Sequence, residues 1–316
     1  MLMFTLRRFL ALIVTLLVAS IVVFAVTTIL PGDPALLIAG IEASEDTLQN
    51  LRQQMGLDRP LPLQYFGWLS GMLLGDFGVS YTYSVPVLEL IGQRIGVTLP
   101  LALISLALAV VISLPLGVFA ASRHNKMTDV GIMGATQIGI AVPNFWFALL
   151  LVYLFAITLR LVPAGGFPGW DEGLGNGIRS LLLPAIALAL PQASILARVM
   201  RSALLDTLHE DYVRTARAKG LPWRLTLWRH AVRNALIPVL TIMGLQFSFL
   251  LTGTIIIENV FYLPGVGRLI FQAIAQRDLI TVQSLIILLI ALVVLVNFLV
   301  DLTYGVVDPR LRLRRA

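Results

Sequence analysis

The stretch from Val97 to Ala121, VTLPLALISLALAVVISLPLGVFAA, runs 25 residues without an Asp, Glu, Lys, Arg or His. As a helix it extends about 37 Å, enough to cross a hydrocarbon core of roughly 30 Å. Five more uncharged runs stand at Phe9 to Leu30, Ile132 to Leu159, Leu181 to Ala197, Leu236 to Ile257 and Ile280 to Val300. The expected fold class is an all-α membrane protein with six transmembrane helices. The fourth run is the shortest and holds Pro184 and Pro191, which weakens its boundaries. The first follows Arg7 and Arg8 like a signal peptide, but it is too long for an h-region and no small-residue cleavage site follows it, so it reads as an uncleaved helix.

Composition agrees. The chain is 58% hydrophobic and 13% charged, against about a quarter charged in soluble domains. The net charge of +6 lies in short connections between apolar runs, the pattern of orientation signals and not of a nucleic-acid surface. There is no cysteine, and His124, His209 and His230 show no ligand spacing, so no metal, cofactor or thiol chemistry is expected. With the N-terminus inside, 16 of 23 Lys and Arg fall on the cytoplasmic side, and six spans return the tail Asp308-Pro309-Arg310 there.

The domain reading is residues 1–30 as tail and first span, 31–96 as an external helical cap, and 97–316 as a core of five spans with a cytoplasmic loop at 198–233. In the cap, Ser44 is the expected N-cap of a helix that stops at Gly56. Pro60 and Pro62 open a second helix, closed by Gly75-Asp76-Phe77-Gly78, and Ser84 and Pro86 begin a third that reaches Arg94.

The spans as drawn hold no ionisable residue, whereas ion and proton relays are built from them. Asp301, at the inner end of the sixth, is read either as snorkelling to the interface or as a gate. No Gly-x-x-x-x-Gly-Lys-Ser/Thr loop is present, and Lys126 and Lys219 are the two lysines, so nucleotide is not cradled that way. Energy therefore comes from a partner, or transport is passive. The 198–233 loop is where a partner would bind: Asp211 is the expected N-cap and Gly220 the C-cap of a helix from Tyr212 to Lys219, and Ala216 and Ala218 permit close approach. The alternative is a basic loop held at lipid headgroups.

Asp211-Tyr212-Val213-Arg214-Thr215-Ala216-Arg217-Ala218-Lys219-Gly220-Leu221, followed by Arg229-His230-Ala231-Val232-Arg233-Asn234-Ala235-Leu236-Ile237-Pro238, resembles the signature loop of binding-protein-dependent ABC transporter permeases. The resemblance is to the dipeptide, oligopeptide and nickel branch, and within it to the B-type subunit of dipeptide permeases. It extends through Leu30-Pro31-Gly32-Asp33-Pro34, Gly56-Leu57-Asp58-Arg59-Pro60-Leu61, Gly75 to Ser80, Glu258-Asn259-Val260-Phe261 with Pro264-Gly265-Val266-Gly267, and Asp308-Pro309-Arg310. It implies the type I importer fold, a second permease subunit, two cytoplasmic ATPase subunits, a periplasmic substrate-binding protein and a place in the bacterial inner membrane. The ATPase-coupling residues it implies are Asp211, Arg214, Thr215, Ala216, Ala218, Lys219 and Gly220. Arg214 stands where the general permease motif has Glu, and Pro238 lies farther from Gly220 than that motif allows.

Gln137, Asn144, Gln192, Gln246 and Asn297 are the strongest polar groups within the spans, either lining a path or hydrogen-bonding between helices. Pro143, Pro184, Pro191, Pro238, Gly244 and Gly253 are candidate hinges or ordinary packing positions. No catalytic residue is expected, since no span carries paired carboxylates or histidines and Ser105 and Ser113 have no evident base. An autonomous channel or carrier is the competing reading. Dipeptides, longer peptides, nickel complexes, glutathione and opines all fit relatives of this type.

Overall fold

The computed structural model describes residues 2–29, 34–40 and 43–307. The tag from Leu30 to Asp33 and the tail from Asp308 to Ala316 lie outside them. The helices are α1 Leu2–Ile29, α2 Pro34–Ala39, α3 Glu45–Gln54, α4 Leu61–Leu73, α5 Val87–Ser122, α6 Met127–Ala141, α7 Asn144–Leu151, α8 Leu174–Leu208, α9 Asp211–Ala218, α10 Trp223–Leu225, α11 Arg233–Val260, α12 Val266–Ala275 and α13 Leu279–Val307. Wider π-helical turns continue α7 over Val152–Thr158 and lead into α11 over Thr226–Val232. Among the described residues five stretches are long and apolar enough to cross a membrane, and α6 with α7 makes a sixth if that broken pair is one span.

The third span, expected from Ile132 to Leu159 with Pro143 as a candidate hinge, is bent by 100° between Ala141 and Asn144. Pro143 supplies no N–H and clashes with an α conformation at the residue before it, and Val142 is accordingly extended at φ −77°, ψ 123°. Pro100, Pro115, Pro184, Pro191 and Pro238 instead sit inside unbroken helices. At Pro100 the reason is visible. The carbonyl left without its helical donor is that of Gly96, and the Trp170 indole N–H donates to it at 2.8 Å.

Two other boundaries move. The helix expected to end near Arg94 does not end: α5 runs on from Val87 through Gly96 for 36 residues, so the cap contributes α2, α3 and α4 while its last segment is the start of a span. Glycine in a helix interior costs only about 1 kcal/mol, which the packing here overrides. The fourth span, expected as the shortest, is the 35-residue α8. Arg198 and Arg201 belong to it and not to a loop, because both find partners on α6. Arg201 grips Asp129 with Nε–Oδ1 2.6 Å and Nη2–Oδ2 2.7 Å, and Arg198 donates to Thr136 and Gln137. In the cap, Ser44 does cap α3, accepting from the Thr47 amide.

α8 is the axis of the bundle, packed by α5, α6, α7 and α11. Its buried Ala185, Ala187, Ala189, Ala193 and Ala197 let the neighbouring backbones come close, as helices in lipid require. Gly244 and Gly253 are also contact points, against Val300 and Leu188. At the edge, α1 runs along α13. They are tied at the cap end by Gln283 with Thr27, and at the opposite end by Arg8 with Asp301 at 3.0 Å and Phe9 against Phe298. Asp301 is thus one half of an ion pair.

At the cap end, two buried carboxylates bracket the short helix α12. Glu258, on the last turn of α11, accepts from the Thr98 hydroxyl of α5 at 2.6 Å and from the Arg268 amide at 3.0 Å, and Thr98 in turn accepts from the Val266 amide. These are first-turn amides of α12, whose partial positive charge suits an anion. Gly265 is required here because a Cβ would sit 2.2 Å from the Glu258 carboxyl carbon. Just beyond α12, Asp278 accepts from Ser80 and from the amides of Thr82 and Thr281. Burial, helped by the Asp278 charge, raises the Tyr81 phenol above its ordinary pKa.

Candidate functional site

The segment joining α8 to α11 folds back on its own helices. α9 packs on the end of α8 and on the π-helical turn. Val213 and Ala216, 1% and 7% exposed, form its inner face. Asp211, expected as the N-cap, lies one residue inside the helix; the cap position is Glu210, which makes no side-chain bond there. Gly220 does close the other end, at φ +83°, where a residue with a Cβ is strained. The Leu221 amide then bonds back to Ala216 O at 3.3 Å.

Asp211, Arg214, Thr215, Ala218, Lys219 and Gly220 are all exposed, whereas Ala216 faces the chain itself. Thr215 donates to Asp211 O at 2.8 Å, and Arg214 approaches the Asp211 carboxylate at 3.7 Å. The rest of the segment is braced. Arg217 lies over the Trp223 ring at 5.1 Å, and Tyr212 OH accepts from the Asn234 amide at 2.9 Å. Partial burial raises the Tyr212 phenol, against the opposing effect of that bond. The result is an eight-residue helix with a polar outer face, packed on the end of α8 and on the π-helical turn that leads into α11.

The five intramembrane amides do not gather. Gln137 is exposed and accepts from Arg198 at 2.6 Å. Asn144 is the first residue of α7, opposite Gly253. Asn297 receives a 3.4 Å bond from Ser248. Gln192 and Gln246, 7% and 4% exposed, keep side-chain oxygens with no partner. Ser248 and Gln246 lie two residues apart, about 200° around α11, so Asn297 and Gln246 face different sides. Among the described residues no hydrogen bond joins any two of the five, and no three His, Cys, Asp or Glu gather as a metal group. Ser105 and Ser113 donate to the carbonyls of Leu101 and Val110.

Sequence reading missed Asp129, Glu258 and Asp278, each buried and bonded. Glu258 is one residue past the drawn end of the fifth span, and the downstream Gly265-Val266-Gly267 was the available signal for its carboxylate.

The family described as "Binding-protein-dependent transport system inner membrane component" matches residues 113–313, and the corresponding N-terminal family matches residues 1–102. A putative peptide transport system permease protein of Brucella abortus is 44% identical over 308 residues, covering 97% of this chain and 98% of its own length. A probable peptide ABC transporter permease of Sinorhizobium fredii is 38% identical over 309 residues, covering 98% and 99%. The glutathione transport system permease GsiC of Salmonella typhi is 40% identical over 312 residues, covering 99% of each. Among solved structures, an inward-facing MetNI methionine ABC transporter chain shares the fold, with TM-score 0.58 at 18% identity over 70% of this chain and 97% of that one.

Proposed function

This chain belongs to the family of binding-protein-dependent transport system inner membrane components, and from that membership we propose that it is the permease subunit through which an ATP-driven ABC importer carries peptides across the bacterial inner membrane. The observation that carries the reading is near-complete coverage, at 44% identity, of a relative named for peptide transport. The 40% identity to a glutathione transport system permease supports counting glutathione, a tripeptide, in the same proposed cargo class.

In this reading both chain ends and α9 face the cytoplasm, and residues 31–96 face outward, in keeping with the bias of Lys and Arg. A second permease completes the pore, and a periplasmic binding protein delivers cargo. The exposed face of α9, formed by Asp211, Arg214, Thr215, Ala218, Lys219 and Gly220, docks on an ATPase subunit, with Ala216 packing it from behind. ATP binding closes the two ATPase subunits and moves α9 with the ends of α8 and α11, which shifts the balance between inward-open and outward-open states. No bond is made or broken in this chain.

The spread of Gln137, Asn144, Gln192, Gln246 and Asn297 over five helices suits a path with few fixed contacts, where selectivity rests with the delivery protein. The test is reconstitution of the chain with its partner permease, ATPase subunits and binding protein in vesicles. ATP-dependent accumulation of labelled di- and tripeptides is expected; ATP-driven uptake confined to non-peptide solutes would refute the cargo class.

A further inference from the structure

The loop between α4 and α5 is folded around one hydroxyl. The Ser80 amide bonds to Val85 O at 2.9 Å and the Val87 amide to Gly78 O at 2.9 Å, which closes residues 78–87 into a tight hairpin. Ser84, at φ 56°, makes its turn. Inside the hairpin the Ser80 hydroxyl accepts from the Tyr83 amide at 3.1 Å, which leaves its own proton to donate outward. It donates to Asp278, 198 positions along the chain, at 2.5 Å, and the Thr82 amide joins it at 3.3 Å. Ser80 and Asp278 are each 1% exposed.

Asp278 is not a surface group that the hairpin happens to reach. Its other oxygen caps the start of α13 through the Thr281 amide, and its own amide closes the end of α12 through Ala273 O. The bond therefore links the cap to both helices at once. A cavity of about 1130 Å³ opens beside it, lined on the cap side by Arg59, Gln64 and Trp68 and on the core side by Leu279, Ile280 and Gln283. Beside that space the hairpin region meets α12 and α13: Phe77 O accepts from the Ser284 hydroxyl at 2.9 Å, and Phe77, Tyr83 and Val85 pack against the cluster of Val266, Leu269 and Leu285. A second route exists through α1, where Tyr65 of α4 bonds Ser20 at 2.8 Å, but it ends on a helix at the edge of the bundle.

We propose that Asp278 is a positioning residue that couples the external cap to α12 and α13 through Ser80, so that a cargo-loaded binding protein seated on the cap moves the outer ends of the spans. α12 passes the displacement on, since Glu258 and Thr98 fasten its other end to α11 and α5. The inference rests on the importer reading above, and it assigns the cap a signalling role that the reading does not require.

The experiment measures ATP hydrolysis by the complete reconstituted complex with and without cargo-loaded binding protein, as a ratio within each sample, together with binding-protein affinity. Ser80→Ala removes the buried hydroxyl donor to Asp278 and leaves the longer Thr82 amide bond and the Asp278 cap on α13 in place. It is expected to lower the stimulation ratio at least fivefold, with basal hydrolysis and affinity within twofold of the unsubstituted complex. Asp278→Asn is expected to do the same, and Tyr65→Phe, which removes the hydrogen bond from α4 to α1, to leave the ratio unchanged. Full stimulation in Ser80→Ala, or equal loss in Ser80→Ala and Tyr65→Phe, overturns the relay. A ratio near one in the unsubstituted complex overturns the importer reading itself, and the relay with it.

Discussion

Removing the Asp129 carboxylate should cost as much as truncating a large core side chain, because Arg201 would keep its charge and lose the group that neutralises it. Orphaning a buried charge costs about 3–5 kcal/mol; since the Arg201 side chain is 23% exposed, we expect roughly 3 kcal/mol for Asp129→Ala, read from unfolding in detergent. The double variant Asp129→Ala with Arg201→Met should recover most of that loss. Glu258→Ala should likewise destabilise the protein, since it leaves the Thr98 hydroxyl and the Arg268 amide without their acceptor, at about 1–3 kcal/mol for each buried group. A melting temperature within a degree of the parent would show that water replaces the carboxylate. Hydropathy made neither group legible. The partner of Asp129 is 72 positions away, and Glu258 falls outside an apolar run by one residue, so hydropathy alone treats both as loop charges. Ser44 and Gly220 were legible because a cap acts on its immediate neighbours.

At the scale of elements, the same logic separates Pro143 from the other prolines. Composition marks each as a weak point, but whether the helix breaks depends on whether a distant donor, such as Trp170, serves the freed carbonyl. The two 15-residue arms around Pro143 have ends about 29 Å apart at this bend, and about 45 Å if straight. The protein has no cysteine, so spin labels on Met127→Cys and Thr158→Cys can report the distance directly. Pro143→Ala should lengthen it; an unchanged distance would assign the bend to tertiary packing. For α9, Gly220→Trp forces a bulky residue into a left-handed conformation, about 1–2 kcal/mol of local strain, and places an indole on the proposed docking face. Membrane insertion should persist while ATP-driven uptake falls at least tenfold, and Gly220→Asn, which tolerates that conformation, should keep most of it. Normal uptake by the Trp variant would remove α9 from the coupling route.

Over the whole molecule, the spans were the most legible feature, because a window of about 20 residues averages out local exceptions. Their lengths were not, since α8 extends past its apolar centre on the pairing of Arg201 with Asp129, and α5 on the packing of Val87, Leu90 and Ile91 against α12, contacts too distant in sequence for hydropathy to register. Reconstituted by itself the chain should show no solute flux, with or without ATP; measurable flux would favour a self-contained channel. The pairing of α1 with α13 bears on how the chain is made. Synthesis delivers α1 to the bilayer first among the described helices and α13 last, yet each holds half of the Arg8–Asp301 and Thr27–Gln283 contacts. Until the final helix is threaded in, α1 has little of its eventual neighbourhood to lean on. Quality control in the cell would therefore have one late event to monitor, the docking of the last helix against the first.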